Sequence, residues 1–424
     1  MPVIVIDPHS SGAFYPEILE NAGIPYWTVT TERAYASGLA PDKSSTSTPP
    51  HTIFDAATEV DLPKLIEFCT THDVDTVITG AESGVPLAEA LKVKLGLGST
   101  AFGDSGRRFW DKDLLYTTLA SAGVRVPHQY GIFTSDDLTA QIPHIPLTQI
   151  RYPAVVKPDI GGGSVGVRIV NNPQDAEKAI KGVVASPGFF GDPTPTALVQ
   201  ECVNGREYVI DTYTHSGQHT VITVCTYDKH RSLSGSLVYD RLRWIKSTAP
   251  VVPMLSSYAF TVLDALNHQE GSVHMEVMLS ETDDIPCFID LGVRPHGAGH
   301  PLKTYQLSGL SQLHAEVSAA TGDFSTFSDT YALRENAAIE FLSLDTPARV
   351  RSDANPQELL QHEWVISGEI QAQAGSKYPA TESLLDSEAL GLVFITAPTN
   401  AELAEHSITL RKQFASMMEV SENA

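Results

Sequence analysis

The chain has 424 residues, 42% of them apolar and 19% charged, a globular composition long enough for two or three domains. Its 28 Lys and Arg stand against 51 Asp and Glu, and the formal net charge of -23, with no basic patch to offset it, excludes nucleic acid as a partner. The same field opposes free nucleotide, so a nucleotide site here needs its own lysines and a divalent metal.

The first hundred residues alternate short apolar runs with helical patterns: PVIVID, PEILENAGIP, IPYWTVT, LPKLIEFCTTHDVD, TVITGAES and VPLAEALKVKLGL. That alternation predicts an open parallel sheet covered by helices. The opening MPVIVIDPHSSG has no basic n-region, and no stretch approaches 18 uninterrupted apolar residues, so the expectation is a soluble protein that neither is exported nor spans a membrane. Cys69, Cys202, Cys225 and Cys287 show no metal-type pairing, which fits a reduced cytoplasm. KSSTSTPP at 43–50 is the one low-complexity patch and reads as a loop.

A charged helix, SGRRFWDKDLLYTTLASAGV, is closed by Gly123 and Pro127 and marks a new domain. The strand YPAVVKP leads through DIGGGSVG into a second apolar run, VRIV, and the helix NPQDAEKAI. TALVQECV and REYVIDTY read as strands divided by Asn204-Gly205, a turn signal. Long β-rich stretches lead on to HMEVML and PCFIDLGVR, and the last ninety residues read as a small α/β or mostly β piece ending in a helix, ELAEHSITLRKQFASMM. The predicted divisions are 1–105, 106–199 and 200–424.

Both the dinucleotide fingerprint and the P-loop require a helix directly after the glycines. GGGSVG runs instead into a β-type run, so it reads as a hairpin loop whose bare backbone at Gly161, Gly162 and Gly163, with the Ser164 hydroxyl, can close over phosphate oxygens. Lys157 ends the buried strand before it, where a phosphate would compensate its charge; the alternative is a lysine snorkelling from the strand end. Lys112 lies at an acidic helix start, where a lysine can equally be solvated.

WDKDLLYTTLASAGVRVP, YPAVVKPDIGGGSVGV, VQECVNGREYVIDTY and HMEVML with FIDLGVRPHG resemble, in order, the motifs of the ATP-grasp superfamily. The resemblance covers about residues 105–305, with the first hundred similar to the Rossmann-like domain that precedes the ATP-grasp fold, an α/β architecture of α+β lobes. Within the superfamily the arrangement is most similar to the L-amino-acid ligases that form dipeptides. It implies that Lys112 and Lys157 contact phosphate, that GGGSVG is a lid over the β- and γ-phosphates, and that Gln200, Glu201 and Val203 form the adenine-facing hinge. It makes Glu207 the ribose ligand, unless Glu207 is a surface strand residue. A turn at Gly205 would bring Glu207 back beside the sugar.

Period-two alternation places His274, Glu276 and Met278 on one strand face, and Phe288, Asp290, Gly292 and Arg294 together on another. If the strands pair through SETDDIP, Glu276 and Asp290 share a face inside apolar sequence, where Mg²⁺ or Mn²⁺ would remove the cost of burying two carboxylates. The alternative is a structural ion cluster with Arg294. Family members commonly carry Glu at the place of Asp290 and Asn at that of Gly292, so this chain offers one fewer direct metal ligand. Arg294 matches the arginine that faces the acyl phosphate and tetrahedral intermediate, a role suited to a guanidinium with several fixed donors. His296 and Gly297 in the following loop, PHGAGHP, and His274 on the metal face are expected to face substrate, although His296 is equally readable as structural.

The implied reaction is carboxylate–amine ligation: ATP converts a carboxylate to an acyl phosphate, an amine captures it, and ADP and phosphate leave. The expected partners are small carboxylates and amines, amino acids above all, and family analogy adds a homodimer. The rivals are a purine-pathway ligation or carboxylation by the same nucleotide residues, a non-catalytic nucleotide-binding module, and a dinucleotide oxidoreductase, for which PVIVIDPHSSG lacks the GxGxxG fingerprint.

Overall fold

A computed structural model describes residues 1–41, 48–98, 103, 106–139, 147–192, 195–324 and 330–420. Most of KSSTSTPP therefore lies outside the described residues. β1 (Val3–Ile6), β2 (Tyr26–Thr31), β3 (Thr52–Ala57) and β4 (Thr76–Thr79) form a parallel sheet in the order β3-β2-β1-β4. The VIVI run of β1 is wholly buried because helices cover both faces, as its unbroken apolar sequence requires.

The charged segment after it is not one helix. Arg107–Phe109 is a single 3-10 turn, and the α-helix begins at Lys112 because the Asp111 side chain accepts from Leu114 N and caps it. β5 (Gln129–Phe133), β6 (Ala154–Pro158), β7 (Arg168–Val170) and β8 (Ala197–Glu201) then build an antiparallel sheet, β5-β8-β6-β7. β6 and β7 are the expected hairpin, joined by the glycine loop, and the helix Pro173–Val184 packs behind them.

The third sheet has eight strands, all antiparallel to their neighbours. β9 (Gly205–His215), β10 (Gln218–Arg231), β11 (Leu237–Ile245), β12 (Gly271–Ser280), β13 (Pro286–Gly292), β14 (Asn336–Phe341), β16 (Val365–Ile370) and β18 (Gly391–Ala397) lie in the order β13-β12-β9-β10-β11-β14-β18-β16. The carboxy-terminal strands therefore extend the large sheet instead of forming a separate piece; β15 (Ala348–Val350), β17 (Lys377–Tyr378) and β19 (Met418–Val420) make a small sheet beside it. The terminal helix, Asn400–Ser416, packs on β14 and β18.

Three helices, Val252–Ala265, His300–Ser308 and Gln312–Thr321, interrupt stretches read as β-rich or left unread. The first has a legible signal: Val252, Leu255, Ala259, Val262 and Leu263 recur at helical spacing and are all buried in one core with β9 and β12. No helix among the described residues is long and apolar enough to cross a membrane.

Asn204-Gly205 is not a hairpin turn. β8 and β9 belong to different sheets, so the chain crosses between lobes here, and the predicted boundary after residue 199 falls inside β8. Gly205 already pairs with Ser280, and a Cβ on it would lie 2.2 Å from the Leu279 carbonyl oxygen. That contact is with backbone and cannot rotate away. Gly205→Ala is expected to destabilise the protein by about 1–3 kcal/mol, visible as a lowered melting temperature.

Candidate active site

The glycine loop of the small sheet and the β9–β13 region of the large one enclose a cavity of about 540 Å³. Its wall includes Lys112, Lys157, Gly161 to Ser164, Gln200, Glu201, Val203, Glu207, His274, Glu276, Asp290 and Arg294, residues drawn from both lobes and the helix between them. Of the sequence-predicted site residues, only His296 and Gly297 are missing from it.

Glu276 stands opposite Asp290 in the β12–β13 ladder. The register then slips: Val277 pairs with Phe288, and Ile289 is the extra residue of a bulge. Phe288 therefore does not share the face of Asp290, as simple alternation predicted. It is fully buried in the core with Val277, while Asp290 keeps its place beside Glu276.

Lys112, in the first turn of its helix, donates to both carboxylate oxygens of Asp290 at 2.9 and 2.7 Å. Burial works against its charge, but Asp290 more than offsets that and holds the ammonium above the usual lysine range. Lys157 donates to the Tyr116 hydroxyl and, at 3.5 Å, to the Ile289 carbonyl. With only neutral oxygens as hydrogen-bond partners among the described residues, burial pulls it below the usual range. An anionic phosphate between the two lysines would reverse that loss.

In the glycine loop, Gly163 and Ser164 adopt positive φ, and the Ser164 hydroxyl lies 2.9 Å from that of Tyr239. Glu201 is tied to His128, its backbone N–H donating to the carbonyl and its carboxylate accepting from the N–H at 3.1 Å. Glu207 is no surface strand residue: it is buried and accepts from Lys229 at 2.7 Å. Lys229 in turn lies 4.0 Å from the Tyr239 ring.

Arg294 does not join Glu276 and Asp290 in an ion cluster. Its Nε donates to Glu82 at 2.8 Å, a residue just past the end of β4 in the first sheet. His274 donates through Nδ1 to Asp211 at 2.9 Å, and its Nε2 lies 3.7 Å from Glu276. Burial opposes a charge on His274, but Asp211 and Glu276 raise its pKa to about 9. Burial likewise pushes Glu276 up, and His274 and Lys229 reverse that to hold it at about 2.

Two expected substrate contacts are corrected. His296 is buried beneath Tyr227, with Nδ1 donating to Asp211 at 3.0 Å, because Asp211 draws it into the sheet. Gly297 packs toward Ser10 of the first domain, where a Cβ would sit 3.6 Å from the hydroxyl. Four residues went unremarked in the sequence: Glu82, Asp211, Tyr227 and Lys229. Asp211 had a signal, a carboxylate inside the apolar strand REYVIDTY, and so had Glu82, an acid just past a parallel strand end, where such sheets bind ligands.

The hard oxygens of Glu276 and Asp290, side by side on the cavity wall, would suit a Mg²⁺-type ion, which would share Asp290 with Lys112. Asp211, His274 and His296 also bring ligand atoms within 4.8 Å of one another, but both Nδ1 atoms are already committed to Asp211.

Residues 150–297 match the family model described as the ATP-grasp domain, the segment that carries the glycine loop and the acidic hairpin. That segment, about a third of the chain, is similar to the ATP-grasp domain. Dapdiamide A synthase of Enterobacter agglomerans is 26% identical to it over 344 residues, 80% of this chain and 78% of that protein. The L-amino acid ligase from Bacillus licheniformis superposes with a TM-score of 0.74 at 17% identity, covering 100% of this chain and 99% of the other. Carboxyaminoimidazole ribonucleotide synthase from Aspergillus clavatus, in complex with ATP, superposes at 0.65 with 14% identity and 98% coverage of each chain. The likeness in fold thus extends over the whole chain, the Rossmann-like parallel sheet at its start included.

Proposed function

We propose that this protein is an ATP-grasp enzyme, an ATP-dependent carboxylate–amine ligase that joins amino-acid-type substrates through an acyl phosphate. The observation that carries the reading is the in-register pair Glu276 and Asp290, set in a cavity that also holds Lys112, Lys157, the glycine loop and Arg294. Its likeness to an L-amino acid ligase and to dapdiamide A synthase supports amino-acid-type substrates. The parallel sheet, the antiparallel sheet of four strands and the eight-stranded sheet support a division into an amino-terminal domain, a small lobe and a large lobe. Free thiols at all four cysteines support the cytoplasm as its setting.

In this reading the glycine loop covers the phosphates, Gln200, Glu201 and Val203 face the base, and Glu207 meets the ribose. Lys112 and Lys157 hold the transferring phosphoryl group for in-line attack by the substrate carboxylate, with ADP as leaving group. Glu276 and Asp290 would hold Mg²⁺, which neutralises phosphate charge when bound. Arg294 then faces the oxygen that gains charge as the amine adds to the acyl carbon, and phosphate departs.

The test is phosphate release over a panel of amino-acid pairs, with the nucleotide product resolved by chromatography. ADP is expected, because the lysines and carboxylates direct attack to the γ-phosphorus. AMP and pyrophosphate as the main products would overturn the acyl-phosphate mechanism, and hydrolysis indifferent to any amine would overturn the ligase.

A further inference from the structure

Ligation releases a proton from the attacking amine, and the cavity's carboxylates are poorly placed to take it. Glu82 is engaged by Arg294, Glu207 by Lys229, Asp290 by Lys112, Glu201 by the His128 N–H and Glu281 by Asn204, while Asp228 accepts from Arg241 and Arg243. Glu276 is a proposed metal ligand. One chain of groups leads away from the cavity instead.

Asp211, 1% exposed on β9, accepts from His274 through one oxygen and from His296 Nδ1 through the other. An ionised carboxylate is an acceptor only, so the His296 ring carries its proton on Nδ1. Burial outweighs Asp211 and holds His296 at about 4, neutral at physiological pH. Its Nε2 is then an acceptor, and it lies 3.1 Å from the hydroxyl of Tyr227. Tyr227 lines the cavity on β10. Its O–H is committed backward to His296, which leaves the oxygen lone pairs as acceptors.

We infer that Tyr227, His296 and Asp211 form a proton relay that deprotonates the attacking amine, with Tyr227 as the catalytic residue and His296 and Asp211 positioned behind it. The inference rests on the ligase reading. As the neutral amine forms the C–N bond and the C–O bond to phosphate breaks, an N–H proton passes to Tyr227 Oη. The Tyr227 proton passes to His296 Nε2, and Asp211 stabilises the imidazolium. Its return through Tyr227 to the leaving phosphate yields hydrogen phosphate and restores both side chains.

The two half-reactions can be measured apart in the full-length protein. Scrambling of ¹⁸O between the bridging and non-bridging positions of ATP, with carboxylate present and amine absent, reports acyl-phosphate formation; amide synthesis reports capture. Tyr227→Phe is expected to keep scrambling within about threefold while amide synthesis falls about 10²-fold or more, the usual size of a general-base contribution. His296→Gln, which can still accept from Tyr227 but cannot store a proton, should show the same split and guards against misfolding of the first variant. Hydroxylamine, a nucleophile of low basicity, should still be converted to hydroxamate by both. An equal fall in both half-reactions, or undiminished amide synthesis in either folded variant, overturns the relay. No scrambling in the unmodified protein with any carboxylate would overturn the ligase reading itself, and the relay with it.

Discussion

Arg294→Ala is expected to bind ATP with nearly unchanged affinity yet lose about 10²–10³ in kcat, about 3–4 kcal/mol of transition-state stabilisation. The guanidinium sits on the cavity wall, held by Glu82 through Nε at 2.8 Å and by its own neighbour's carbonyl, Pro295, through Nη1. Those two bonds use only part of a five-donor fork, so the remainder is available to an oxygen that gains negative charge during amine attack. Glu82 fixes the angle of the fork in advance, which lets it act without reorganising at the moment of reaction.

Arg294→Lys should therefore rescue little, since an ammonium keeps the charge and loses the planar fork. The competing role is structural: Arg294 and Glu82 could simply tie the amino-terminal domain to the large lobe. In that case Arg294→Ala and Glu82→Gln would lower the melting temperature by similar amounts, and the lysine variant would turn over almost normally. Both side chains are about one-fifth exposed, 18% and 20%, so the pair by itself contributes little stability. Calorimetric ATP titration, melting curves and steady-state rates on the three variants decide between the roles, and a fully active lysine variant would sink the catalytic one.

The second large effect concerns the acidic pair. Glu276→Gln and Asp290→Asn should each keep the fold and abolish both divalent-cation binding and turnover, because a neutral amide preserves shape and loses the charge that holds a hard cation. Mn²⁺ titration followed by electron paramagnetic resonance reads the binding directly, apart from activity. The two variants should differ in one respect. Asp290 is the carboxylate that compensates Lys112, so its removal leaves a largely buried ammonium unpaired and should lower the melting temperature more than the change at Glu276. Unaltered Mn²⁺ affinity in both variants would mean that the cation sits elsewhere.

Much of this site was legible because its pieces are local. Whether a glycine cluster ends in a strand or a helix is decided within a dozen residues, and that alone separated GGGSVG from a P-loop. Strand alternation put Glu276 on a common face with His274, and the short SETDDIP connection made pairing with the Asp290 strand the simplest topology. Alternation failed at Phe288 because a bulge inserts a residue without leaving a mark in composition. The turn at Asn204-Gly205 failed for another reason: a glycine signals close backbone approach as readily as a reversal, and here the approach is to Leu279 of a strand some seventy residues away.

By itself the sequence determined the order of the motifs, the two lysines, the glycine loop and the acidic hairpin, since each depends on residues a few positions apart and on periods that any strand or helix imposes. Only the tertiary structure decided what those residues face. Arg294 meets Glu82 across 212 positions, Lys112 meets Asp290 across 178, and His296 is turned from the cavity by Asp211 across 85. The physical reason is that a charged or hydrogen-bonding side chain takes its role from whichever partner the packing of distant elements brings within about 3 Å, and no local pattern encodes that choice.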